Sequence, residues 1–272
     1  MLIPRHWSKA TGTADDPSGK RFAFQIWGWS EADVAEAAAV ARRRLSEACA
    51  RVARGGLRDE AYFYGKAPLR EEIVRAVTPA EALVTRNRYG ALVLNTARIP
   101  FIDVDAPGGG GGVLRRLFGK ASPAGLDRVR EACDRFSRTS FRVYRTAAGF
   151  RLLATDLLLE PDSAEAQDLL AGFGADPFFV KLCKLQASFR ARLTPKPWRC
   201  GCSLPPGSHP RADLTTQAAF AVWLREYDTA SRAHSTCELL ETRGPGRTLA
   251  EVAPVVAEHD RTCRVEEKLP LA

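Results

Sequence analysis

The sequence predicts an α+β protein, and three features carry that prediction. Alternating apolar and polar runs recur at Arg21–Trp29, Phe141–Thr155 and Phe189–Leu193, the period of half-buried strands. Ala-rich and Leu-rich stretches with a 3.6-residue apolar stripe lie between and after them. Strands and helices do not alternate regularly, so a parallel doubly wound sheet is not expected. At 272 residues and 45% hydrophobic composition the chain can bury one large core or two small ones.

Taken in order, Arg21–Trp29 reads as a strand in which Trp27 and Trp29 cover a core. Ser30 reads as the N-cap of a helix whose stripe is Val34, Ala38, Ala41, Leu45, Ala48 and Val52, with Gly55-Gly56 as its stop. A polar connection and a short helix around Arg70–Val77 follow. Ala82–Val84 and Ala91–Asn95 read as strands bracketing the turn Thr85–Gly90, and they lead into the apolar strand Arg98–Asp105. Pro107 and five glycines then suggest a flexible loop. A helix around Leu126–Phe136 returns the chain to a β-hairpin over Phe141–Thr155, with Ala147-Ala148-Gly149 at its tip. Ser163–Phe173 reads as helix, Ala175-Asp176-Pro177 as turn, Phe178–Lys184 as a further apolar segment and Phe189–Leu193 as strand. Two prolines make Thr194–Arg199 an extended loop presenting Lys196 and Arg199. The remainder reads as helical: Thr216–Glu241, then Thr248 onward, with Glu251 in a capping box and Pro254 bending or restarting the last helix.

Forty basic against 32 acidic residues leave a net charge of +8. The excess is concentrated in Arg138–Arg151 and Lys181–Arg199, which favours anionic partners such as nucleic acid or nucleoside triphosphates. Seven cysteines, an odd and scattered number, read as reduced thiols, and Cys183, Cys200, Cys202 and His209 offer a zinc set of unusual spacing. No run approaches a membrane span and the N-terminal MLIPRHWSKA lacks the basic start, apolar stretch and small-residue cleavage site of a secretory signal, so a cytoplasmic protein without membrane partners is expected. His234 and His259 read as surface or packing residues.

The chemistry concentrates at Asp103-Val104-Asp105. Two carboxylates two residues apart on a strand share a face, and their repulsion is relieved by protonation or by a cation such as Mg²⁺ or Mn²⁺ whose remaining ligands are phosphate oxygens. Downstream come a hairpin written T-A-A-G-F-R, the turn acid Asp176, and S-F-R-A-R-L-T-P-K-P. A strand arginine such as Arg142 or Arg151, taken alone, reads as a solvated outer-face residue. Arg190 and Arg192 share a face ahead of the P-K-P loop.

The order of these motifs over residues 83–200 resembles the catalytic core of the archaeo-eukaryotic primase superfamily, in its bacterial and phage primase-polymerase branch. The resemblance implies a central RRM-like antiparallel sheet with flanking helices. It divides the chain into an N-terminal strand-helix region (1–82), the core (83–213) and a C-terminal helical segment (214–272). It implies a metal-dependent nucleotidyltransferase acting on a nucleoside triphosphate with DNA or RNA. Asp103 and Asp105 resemble the metal-binding acids, with Asp176 as third catalytic carboxylate and Thr146, Arg151, Arg190, Arg192 and Lys196 as nucleotide contacts. Arg151 stands where that family has histidine, and the family's P-G-T-x-N is missing. The whole chain also resembles an uncharacterised bacterial family ending in a similar L-P-L-A tail, which brings no function. Two other classes fit parts of the pattern: a non-catalytic module binding RNA or single-stranded DNA, and a nucleotide-sugar glycosyltransferase that holds its metal with D-x-D.

Overall fold

The computed structural model describes residues 1–56, 68–79, 81–105, 123–211 and 213–272. The glycine run after Pro107 lies outside them. The fold is α+β, with ten strands in antiparallel sheets among the described residues, and it divides into two compact units, Leu2–Glu72 and Ile73–Ala272.

In the first unit β1 (His6–Asp15) and β2 (Arg21–Ser30) form a long hairpin, in register from His6 opposite Ser30 to Asp15 opposite Arg21. Helix α1 (Val34–Ala53) packs on it through Ala37, Ala41, Ala48 and Val52. Small residues allow the close approach: a Cβ on Gly28 would stand 2.2 Å from the Ala37 carbonyl oxygen and the Ala41 nitrogen. The helix starts later than expected. Asp33 is its N-cap, accepting from the Glu36 amide, while Ser30 ends β2 and accepts from the Ala32 amide. Trp29 meets Trp7 at 5.9 Å between rings, and the Arg44 guanidinium lies 4.6 Å from the Trp29 ring. Strand β1 has no counterpart in the sequence-based reading.

The second unit holds two four-stranded sheets. One runs β3 (Glu72–Thr78), β4 (Ala82–Arg86), β5 (Leu92–Thr96), β9 (Phe189–Arg192). The other runs β10 (Cys237–Arg243), β7 (Phe141–Thr146), β8 (Gly149–Ala154), β6 (Phe101–Asp105). That order does not by itself establish an RRM-like sheet. Helices α2 (Pro123–Arg135), α3 (Ala164–Gly172), α4 (Pro177–Gln186), α5 (Leu214–Ser231) and α6 (Ala253–Cys263) complete it. Val84, Leu94 and Ala191 of the first sheet join one core with Phe101, Val143 and Leu152 of the second and with Val129, Leu170 and Val255 of the helices. Every residue of β8 is buried, as expected of a strand covered on both faces.

Three expectations are corrected here. The helix around Arg70–Val77 is instead strand β3, since Ile73, Val74, Val77 and Thr78 are β-branched and suit a pleated surface. The helix of Thr216–Glu241 ends at Ser231, and the chain returns as β10 beside β7, with Cys237 opposite Thr146. The last helix starts at Ala253 rather than at Thr248 and has no side-chain cap, and Pro254, in its first turn, restarts the helix rather than bending it, where its missing N–H costs nothing. Among the described residues no helix is long and apolar enough to cross a membrane.

Candidate functional site

Strand β6 delivers the acid pair. Phe101 and Ile102 are fully buried and anchor the strand, and exposure rises toward Asp105 at its end. Its partner β8 places Arg151 directly opposite Asp103, and Gly149 opposite Asp105. Arg151 donates Nε to Asp103 Oδ1 at 2.8 Å and Nη2 to Oδ2 at 3.2 Å, a two-pronged pair, while its Nη1 donates to the Arg192 carbonyl at 2.8 Å. The Arg151 side chain is only 2% exposed, against 38% for Asp103. Burial opposes its charge, but Asp103 outweighs this and holds the guanidinium above its ordinary value. The sequence-based reading of Arg151 as a solvated outer-face residue is therefore overturned, because β8 is the covered centre of its sheet. Arg142 is also engaged, with Asp260 and the Tyr144 hydroxyl.

Asp176 reaches the same place from another element. Its amide donates to the Asp103 carbonyl at 3.5 Å and its carboxylate accepts from the Phe178 amide at 2.9 Å, so it is the N-cap of α4, with Pro177 in the first turn. The apolar segment after it is thus a helix, and Phe178, Phe179 and Leu182 of that helix form one wall of a pocket.

That pocket, about 380 Å³, is lined by Asp103, Asp105, Asp176, Thr146, Arg151, Arg192, Lys196 and Arg199, with Ala147, Ala148, Phe150 and Thr236 among the rest. Its size falls within the roughly 300–1,000 Å³ of small-ligand sites. Four cationic side chains face three carboxylates, a formal excess of one positive charge. Thr146 closes the hairpin: its Oγ1 accepts from the amides of Ala148 and Gly149 at 3.3 and 3.1 Å. Lys196 and Arg199 arrive on the loop that ends in a short 3-10 turn, Pro197–Arg199.

Arg192 is the electrostatically exposed member. Burial, reinforced by the charge of Arg151, lowers its guanidinium to about 10, so it remains cationic at neutral pH. Its Nε is buried with no hydrogen-bond partner. A desolvated cation beside a second one is costly unless an anion joins it. Arg190, predicted to act with it, is not part of the lining, and its Nη1 donates to Gln186 Oε1 at 3.0 Å.

Sequence reading missed a second cluster, formed by Cys237, His259 and Cys263. Among the described residues this is the one group of three or more Cys, His or carboxylate ligand atoms close enough to share an ion. Cys183, Cys200, Cys202 and His209 do not form one. No family model matches the chain, and neither a curated protein nor a solved structure does.

Proposed function

We propose that the pocket at the end of β6 binds a nucleoside triphosphate with Mg²⁺ or Mn²⁺, in a nucleotide-binding protein of the primase-polymerase kind that works with DNA or RNA. The observation that carries this reading is the partnerless, desolvated Nε of Arg192 in a pocket that gathers four cations around three carboxylates. Arg192, Lys196 and Arg199 take the phosphates, whose charge relieves the mutual repulsion of Arg192 and Arg151. An all-oxygen donor set suits a hard cation. Asp103, Asp105 and Asp176 would hold it together, with both oxygens of Asp103 also accepting from Arg151. The metal, when bound, neutralises charge on the phosphates.

Polymerisation is disfavoured within this reading. Arg151 stands where the resembled family has histidine, and a guanidinium held above its ordinary value takes up no proton. The geometry thus supports binding over turnover. A nucleotide-sugar glycosyltransferase is the weaker alternative, since the described strands form antiparallel sheets rather than the parallel α/β half such an enzyme needs.

Calorimetric titration with a nucleoside triphosphate, with and without Mn²⁺, tests the proposal. Wild type is expected to bind more tightly with the metal, Arg192→Gln to lose about tenfold or more, and Asp105→Asn/Asp176→Asn to lose the metal dependence. Equal affinity in all three proteins removes the site. Salt-dependent binding of single-stranded nucleic acid that ignores both Mn²⁺ and the two acid substitutions identifies the non-catalytic module instead, a reading favoured by the Asp103–Arg151 pair.

A further inference from the structure

A second concentration of ligand chemistry lies in the core of the larger unit. Cys237 begins β10, while His259 and Cys263 stand four residues apart on α6 and so on one face of it. All three are 0% exposed. One ligand atom from each lies within 4.8 Å of the other two, and Cys237 Sγ is 3.8 Å from His259 Nε2. A tetrahedral zinc ion with bonds of about 2.3 Å to sulfur and about 2.0 Å to nitrogen needs its ligands roughly 3.5–3.8 Å apart. The triangle is therefore already near the required size.

The surroundings are built as a metal site's surroundings are. His259 Nδ1 meets Asp260 Oδ1 at 2.9 Å, which fixes the ring and turns Nε2 toward Cys237. Asp260 is itself held, accepting from the Tyr144 hydroxyl at 2.8 Å and from Arg142. The rings of Tyr144 and Phe101 lie 4.7 and 5.4 Å from the imidazole, so it has no room to turn away. A packing histidine needs neither a carboxylate orienting one nitrogen nor two thiols at the other.

We propose that Cys237, His259 and Cys263 bind a single Zn²⁺ ion that ties β10 to α6, with Asp260 as the positioning residue for His259. Soft sulfur and borderline nitrogen donors select zinc over the hard cations of the nucleotide pocket. Two thiolates and a neutral imidazole cancel the ion's charge, which makes burial tolerable. Each thiol that coordinates as thiolate gives up its proton when the ion binds. The three side chains leave one position of a tetrahedral ion to a further donor.

The test uses the full chain. Purified wild type, dialysed against a weak chelator, is expected to retain about one zinc per chain by elemental analysis. Protein refolded with Co²⁺ is expected to show thiolate-to-cobalt charge transfer and the intense visible bands of tetrahedral cobalt. Asp260→Asn should weaken the metal about 10–100-fold without abolishing the cobalt spectrum, and Cys263→Ser should halve the charge-transfer intensity. Wild type that holds no zinc and gives no tetrahedral cobalt spectrum overturns the proposal. So does peptide mapping that finds Cys237 joined to Cys263 as a disulfide in freshly isolated protein. Both of these readouts come from the wild type and do not depend on a variant folding.

Discussion

Asp103 and Arg151 occupy the same rung of adjacent antiparallel strands, and the guanidinium reaches both carboxylate oxygens from a position almost wholly closed to solvent. The acid therefore has two assignments: it neutralises a cation built into the sheet and it lines the pocket above. The first comes with the fold. The second is available only to the part of the carboxylate that solvent still reaches.

Removing one member of this pair leaves the other without compensation. Asp103→Ala is expected to destabilise the chain by about 3 kcal/mol, because Arg151 stays buried and charged. The double variant Asp103→Leu/Arg151→Met should recover most of that loss. Urea denaturation of the three proteins measures it, and a double variant no better than the single one shows that the pair is not what Asp103 contributes.

Arg192 should behave in the opposite sense. Its buried, partnerless Nε and its closeness to Arg151 make it a liability in the empty pocket. Arg192→Met is expected to raise stability by roughly 1–2 kcal/mol while weakening nucleotide binding. Thermal melts with and without nucleotide separate the two effects: the variant melts higher alone and gains less from the ligand.

In the smaller unit the contact of β2 with α1 rests on a missing side chain. Gly28→Ala places a methyl group against the helix backbone, not against a movable side chain, and is expected to cost about 3 kcal/mol. Limited proteolysis should then cut within 1–72 before it cuts the larger unit. Unchanged protection of the hairpin contradicts the packing.

Acid should loosen the join between α2 and β10. Arg130 donates Nε and Nη2 to Glu241 at 3.0 and 2.9 Å, and these bonds hold the Glu241 carboxyl below the usual carboxylate range. A depressed carboxyl stabilises fully above the unfolded value and loses this as pH falls through the folded one. Wild type should exceed Glu241→Gln by at most about 1 kcal/mol near neutrality, the pair being partly exposed. The difference should vanish below the folded-state value, which a pH series of denaturation midpoints resolves.

Much of the pocket was legible because its parts are local. Alternation marks the β7–β8 hairpin and β9, an apolar run marks β6, and strand period alone puts Asp103 and Asp105 on one face. What the letters do not carry is cover. Nothing local distinguishes the buried Arg151 from an outer-face arginine, since its burial depends on what packs over β8. Strand β10 was read as helix because Glu and Leu in CELLETR are good helix formers, and β3 because its charges mask a β-branched run. The sulfur cluster escaped for a related reason. His259 and Cys263 show a helical i, i+4 spacing, but Cys237 joins them only through the unforeseen strand. Arg190 fails in the other direction: it shares strand parity with Arg192 yet engages Gln186.

Thr236 stands between the pocket at the end of β6 and the cysteine cluster. It borders that pocket, its hydroxyl donates to the Leu193 carbonyl at 2.8 Å, its amide donates to the Cys263 carbonyl at 3.1 Å, and the next residue is Cys237. One peptide bond therefore separates the cysteine cluster from the pocket wall. By thermodynamic reciprocity, whatever factor an ion among the thiols applies to nucleotide affinity, the nucleotide must apply to the ion. If both proposals hold, the two ligands are neighbours along the chain, and titrating either one in the presence of the other measures that factor.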